Sequence, residues 1–161
     1  LEQCAVIINT WMNENKLKLN TSKTEFILFG SRGQLNKCCT KEIKIASDTV
    51  ESVGSLRYLG AYLDENLHFK DHVKIKCRTA MLNYFRIKSI RKYLTEDATK
   101  ILVLSLVISH LDYCNCILYG IADRELGKMQ RIQNMCAKLV FNRGKYESSK
   151  QALFDLHWLP V

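Results

Sequence analysis

The chain is 161 residues long, 47% hydrophobic and 25% charged, which suits one globular domain or two small ones. That balance excludes a mainly disordered chain, a collagen and a disulfide-stapled miniprotein. Twenty-four Lys and Arg against sixteen Asp and Glu leave a net charge of +8, which points to a polyanionic partner.

At the amino end, Cys4, Ile8, Trp11 and Met12 recur at helical spacing and predict a helix over residues 2–15. Residues 16–20 alternate and residues 24–29 are largely apolar, so both read as strands joined by a bend. Gly30 to Thr40 is polar and reads as a loop. Residues 42–45 alternate and read as a strand. Residues 55–63 read as another, with Leu56, Tyr58 and Tyr62 on one face and Leu59, Ala61 and Leu63 on the other. Apolar groups on both faces predict a strand covered on both sides.

After Asp64 the period becomes helical. Phe69, Val73, Cys77, Ala80, Met81, Tyr84 and Ile87 mark the inner stripe of a helix over about 68–92. Thr95 suits the N-cap of a helix running to Tyr119 and stopping at Gly120. That helix is apolar nearly all round, which predicts a buried central position. Asp123 is the expected cap of the next helix, with Leu126, Met129, Ile132, Cys136 and Leu139 facing inward. Ser148 or Ser149 opens a last short helix through Leu156. The fold class is therefore α+β: an antiparallel, β-rich half with one helix to about residue 66, then an all-α bundle.

The positive charge is concentrated. Residues 70–92 carry Lys70, Lys74, Lys76, Arg78, Arg86, Lys88, Arg91 and Lys92 against Asp71 alone. Residues 1–69 are balanced, with as many basic as acidic groups. One helix thus holds nearly the whole excess, and Tyr84, Phe85 and Tyr93 interleave its cations. Cations neutralise phosphates and aromatic rings stack on bases, so this helix is the candidate nucleic-acid surface. A solvated face with its aromatics in the core is the alternative.

Other chemistry is sparse. Asp64-Glu65 and Glu96-Asp97 are adjacent acids, best read as a turn and a helix start. His68 and His72 stand at i, i+4, but Phe69 occupies the place where a zinc protease carries its Glu. Cys38-Cys39 and Cys114-Asn115-Cys116 lack zinc-knuckle spacing, and Cys77, Cys116 and Cys136 read as small core residues. Neither a nucleophile elbow nor a phosphate loop occurs. Seven cysteines with no leader read as reduced thiols in an intracellular protein, nuclear or cytoplasmic and not secreted. The apolar run 101–108 is far short of the ~20 residues a membrane span needs, so no membrane partner is expected. Apolar residues at both ends suggest a fragment of a longer polypeptide.

Trp11-Met12, Asn15-Lys16-Leu17-Lys18-Leu19-Asn20 and Lys23-Thr24-Glu25-Phe26 together resemble the segment after the catalytic turn in non-LTR retrotransposon reverse transcriptases, jockey-like and CR1-like ones especially. Tyr58-Leu59-Gly60-Ala61, Leu63-Asp64 and Leu67 resemble their primer-grip strand and its exit. Leu111-Asp112-Tyr113-Cys114-Asn115, Gln130-Arg131-Ile132-Gln133-Asn134 and Leu156-His157-Trp158-Leu159-Pro160-Val161 resemble the helical region that follows.

The resemblance implies that residues 1–66 are the last part of a polymerase palm and residues 67–161 its thumb and connection. It implies that Lys23 is the general acid for the leaving pyrophosphate. It implies that Leu56, Arg57, Tyr58, Leu59 and Gly60 grip the primer. Lys74, Lys76, Arg78, Arg86, Lys88, Arg91 and Lys92 would then track the backbone of an RNA template paired with a DNA primer. The family's metal-binding aspartates, including a Tyr-x-Asp-Asp turn, do not occur in the chain. No cofactor is therefore expected on this chain alone, and Mg²⁺ is expected for the full polymerase, completed by the missing amino-terminal part. Two other readings stand beside this one. One is a non-enzymatic nucleic-acid-binding module derived from such an element. The other is a helical protein-interaction domain with an acidic partner.

Overall fold

The computed structural model describes residues 2–38, 41–45, 48–144 and 146–161. They form an α+β protein of two compact units, Leu1–Leu67 and His68–Val161.

The first unit opens with α1 (Glu2–Glu14). Lys16 ends it with a φ of 55°: its N–H bonds the Asn13 carbonyl, and the Leu17 N–H reaches back to Met12 at 2.8 Å. This reversed turn satisfies the last helical carbonyls and keeps residues 16–20 from running as a strand. Residues 24–29 are not a strand either. Among them only Phe26 makes a ladder contact, a parallel bridge to Ser52, with the Val53 N–H bonding the Phe26 carbonyl at 2.8 Å. Within the expected loop lies a short helix, α2 (Arg32–Lys37). Ser31 caps it: the Ser31 hydroxyl accepts from the Gln34 N–H while the Gln34 side chain accepts from the Ser31 N–H. Cys39 and Thr40 lie outside the described residues.

Two antiparallel hairpins follow. β1 (Glu42–Ile45) pairs with β2 (Asp48–Glu51), and β3 (Ser55–Tyr58) pairs with β4 (Ala61–Asp64). The expected single strand 55–63 is thus a hairpin, with Tyr58 opposite Ala61. Leu59 and Gly60 form its two-residue turn with φ of 46° and 84°. Positive φ at both central positions matches the twist of the flanking strands. Tyr58 and Leu59 are 62% and 76% exposed, so this segment is not covered on both sides. The core of the unit is Phe26, Ile43 and Ile45, with Ala5, Leu19, Leu28 and Val50 packed around them. The expected face of α1 is largely outside this core: Ile8 and Trp11 are more than half exposed, as are Val6 and Ile7.

The second unit is helical. α3 (Lys70–Ile90) buries His72, Val73, Ala80, Tyr84 and Ile87 and continues into a 3-10 turn over Arg91–Tyr93. Thr95 caps α4 (Glu96–Val103), its hydroxyl accepting from the Ala98 N–H at 3.2 Å. The helix widens into a π turn over Leu104–Ile108 before α5 (Ser109–Asp112). The π turn changes the hydrogen-bond ladder, and the Asn83 side-chain amide donates to the Leu106 carbonyl at 2.7 Å. The helix therefore ends well before Tyr119. It is not buried all round: Val103, Val107, Ile108 and Leu111 face the core while Ile101, Leu104 and Leu106 face solvent.

Ala122, not Asp123, stands at the N-cap of α6 (Asp123–Val140); Asp123 lies in the first turn, where its charge favours the helix dipole. α6 buries Met129, Ile132, Cys136, Ala137, Leu139 and Val140. After α7 (Lys150–Asp155) the final residues return to α6. There the Gln133 side-chain amide donates to the Leu159 carbonyl and the Val161 N–H to the Gln130 side chain. No helix among the described residues is long and apolar enough to cross a membrane.

Candidate nucleic-acid interface

Twenty-one helical residues at 100° each decide where the cations of α3 point. Lys70, Lys74, Arg78, Phe85 and Lys88 fall within about 40° of one line along the helix, and Lys92 follows in the 3-10 turn after it. All six are exposed, so a basic stripe runs the length of α3 with an aromatic ring set into it.

The remaining candidates are placed otherwise. Lys76 is half-buried, its ammonium 4.1 Å from the centre of the Tyr113 ring. Arg86 is exposed but lies off the stripe, and it donates to the Asn83 side chain at 3.3 Å. Arg91 is drawn inward: its guanidinium donates to the carbonyls of Leu139, Val140 and Leu94 at 2.9, 2.8 and 2.8 Å. Its charge sits at the carbonyl end of α6, where a cation is favoured.

That attachment shapes a groove of about 1010 Å³ between the ends of α3 and α6. Lys88, Arg91 and Lys92 line one side, and Lys138, Asn142 and Arg143 the other. Tyr84, Phe85, Met135 and Leu139 supply apolar surface between them. The described lining residues include no carboxylate. Asn142 makes the groove's far lip possible. Its φ of 50° reverses the chain after α6, and the Arg143 N–H bonds back to the Lys138 carbonyl. Arg143 also pairs with Asp155 at 3.3 Å and covers the Phe141 ring. Burial pushes the Tyr84 phenol up, with Cys136 adding to the effect. Lys138 and Arg143 were not legible as partners of the basic helix, because they are about fifty residues away in sequence and only the packing of α6 brings them there.

The first unit holds the other candidates. Lys23 ends an exposed 3-10 turn, Thr21–Lys23, held by the Lys23 N–H on the Asn20 carbonyl. Leu56 and Arg57 lie on β3, with Arg57 5.9 Å from the Tyr62 ring centre. Tyr58, Leu59 and Gly60 form the hairpin tip.

The histidines do not share a helix face. His68 precedes α3, Phe69 intervenes with a φ of 54°, and only His72 is helical. His72 is also buried rather than at a surface helix entry. Burial lowers its pKa, Lys76 lowers it further, and a hydrogen bond with the Tyr113 backbone opposes both. Cys136 is buried, its thiol pushed up to about 12 by desolvation, whereas Cys116 is exposed and is not a core residue. Among the described residues no group of three or more His, Cys, Asp or Glu could hold a metal ion.

No model of a known protein family matches the chain, and no solved structure matches it. One protein of Drosophila melanogaster does. It is named "Probable RNA-directed DNA polymerase from transposon X-element" and is 23% identical over 144 residues, 87% of this chain. The chain spans 15% of that relative's length. This distant similarity supports a reverse-transcriptase-related origin for the chain.

Proposed function

We propose that the chain is a palm-and-thumb fragment of a non-LTR retrotransposon reverse transcriptase that holds the paired RNA template and DNA primer. The observation that carries this reading is the basic stripe of α3 leading into a groove whose described lining residues include no carboxylate. Lys74, Arg78 and Lys88 project from one helix face, with Lys92 in the turn after it, in the manner that neutralises successive phosphates. Lys76 is half-buried against Tyr113, Arg91 is drawn inward to the end of α6 and Arg86 lies off the stripe, so these three flank that surface rather than forming it.

Under the same reading, residues 1–66 are the palm end and residues 67–161 the thumb and connection. The β3–β4 hairpin is the primer grip. Its Leu59 is held in a backbone conformation that costs a non-glycine residue about 1–2 kcal/mol. The turn geometry accounts for the backbone, and the exposed leucine at its tip fits a contact role. Lys23, exposed at the end of its 3-10 turn, is the general acid toward pyrophosphate. Mg²⁺ and its aspartates belong to the remainder of the polymerase, and with them the site of nucleotide addition. A non-enzymatic nucleic-acid-binding module would use the same stripe and groove.

The test pairs two assays on the full chain. An RNA–DNA hybrid should bind with strong salt dependence, while a primed RNA template with nucleotides and Mg²⁺ should show no extension. Salt-insensitive binding would contradict the stripe's role, and template-dependent extension would contradict the assignment of catalysis to the missing part.

A further inference from the structure

Phe85 poses a question that phosphate binding does not answer. Its ring is 54% exposed in the middle of a line of cations, where a polar residue would serve a duplex backbone equally well. The ring is also held in place. Tyr84 meets it edge-on, with centroids 5.4 Å apart and planes at 72°. Lys88 follows it one turn along α3, Lys92 lines the groove from the 3-10 turn with its ammonium 4.7 Å from the Tyr93 ring centre, and Lys138 stands across the groove.

We infer that this groove takes an unpaired nucleotide of a single-stranded nucleic acid, with its base stacked on Phe85 and its flanking phosphates on Lys88, Lys92 and Lys138. The inference deepens the proposed function and rests on its nucleic-acid reading. A paired base hides both faces in the helical stack and shows the protein only its edges and backbone. An unpaired base offers a π-face to any aromatic platform. Met135 and Leu139 extend the apolar surface beside the ring. The groove, at about 1010 Å³, is within the range that encloses a nucleotide-sized molecule. The described lining residues, which include no carboxylate, admit the phosphates on either side. Lys74 and Arg78, further toward the start of α3, lie outside the groove and serve duplex and single strand alike.

The test measures fluorescence anisotropy of labelled oligouridylate and of a blunt RNA–DNA hybrid of equal length against the full chain. Phe85→Ala should weaken oligouridylate binding about tenfold and leave hybrid binding within about twofold. Phe85→Tyr, which keeps a stacking face, should restore it. Phe85→Trp should show emission quenched by oligouridylate and not by the hybrid. Equal losses on both probes, or none on oligouridylate, would overturn the inference while salt-dependent hybrid binding left the nucleic-acid reading standing. Failure of both probes to bind would remove both. Polyglutamate binding as tightly as oligouridylate, indifferent to Phe85, would show that the groove serves acidic peptides instead.

Discussion

The Arg91 guanidinium donates to the Val140 carbonyl at 2.8 Å, and through its Nε to Leu139 at 2.9 Å, so the end of α3 caps the end of α6. A residue that reads in the sequence as one cation among eight thus has a structural task, and the groove between the two helix ends depends on it. A planar fork holds several carbonyls in fixed directions, a geometry that the compact ammonium of a lysine does not match.

Arg91→Ala should therefore lower the stability of the helical unit by about 2 kcal/mol, the scale of charge-assisted hydrogen bonds. Arg91→Lys should recover only part of it. Urea denaturation followed by circular dichroism measures both. Equal stability of wild type and Arg91→Ala would mean that the cap contributes nothing.

His72 makes stability depend on pH. Its folded pKa is held below 6.5, chiefly by burial, so below about pH 6.5 the unfolded state binds the proton more readily than the folded state. The contribution is fully present above that value and is lost as pH falls from it toward the lowered folded value. His72→Gln should flatten this part of the stability profile, as read by denaturation midpoints across pH. An unchanged slope would place the titration elsewhere.

The cysteines should separate by reactivity. Cys136, buried and shifted to about 12, should resist iodoacetamide in the native protein. Cys4 and Cys116 are exposed and should alkylate readily. Peptide mass spectrometry after brief labelling reads the order. Early modification of Cys136 would show that the α6 core opens easily.

The hairpin tip carries a stability cost that a substitution can relieve. Leu59→Asn should stabilise the first unit by about 1 kcal/mol, because Asn tolerates positive φ. If the tip grips a primer end, the same variant should weaken hybrid binding. Improved stability with unchanged binding would leave Leu59 without a contact role.

Legibility in the sequence followed the range of the interactions. α3, α6 and the Thr95 cap were readable because helical spacing and a cap are local signals. The capping box at Ser31 and Gln34 was equally local, but its helix is only six residues long and carries few apolar groups. Residues 16–20 alternate as a strand would, yet after the reversed turn at Lys16 they pair with no strand among the described residues, and only Leu19 packs on the small core around Phe26. Tyr58-Leu59-Gly60-Ala61 concealed a hairpin because leucine, unlike Asn or Gly, does not announce positive φ. The groove was half visible. Lys88 and Phe85 lie one turn apart on α3 and Lys92 just beyond its end, while Lys138 and Arg143 join them only through the packing of α6 and its reversal at Asn142.

The basic stripe is tested most directly by the salt dependence of RNA–DNA hybrid binding, compared between wild type and a chain carrying Lys74→Ala, Arg78→Ala, Lys88→Ala and Lys92→Ala. Each lost phosphate contact should flatten the log–log slope by about 0.9, on the scale set by duplex DNA. The control is Lys76→Ala, whose ammonium faces Tyr113 and whose loss should leave the slope nearly unchanged. A slope that stays the same in the fourfold variant, or falls as much in Lys76→Ala as in the stripe variants, would contradict the account.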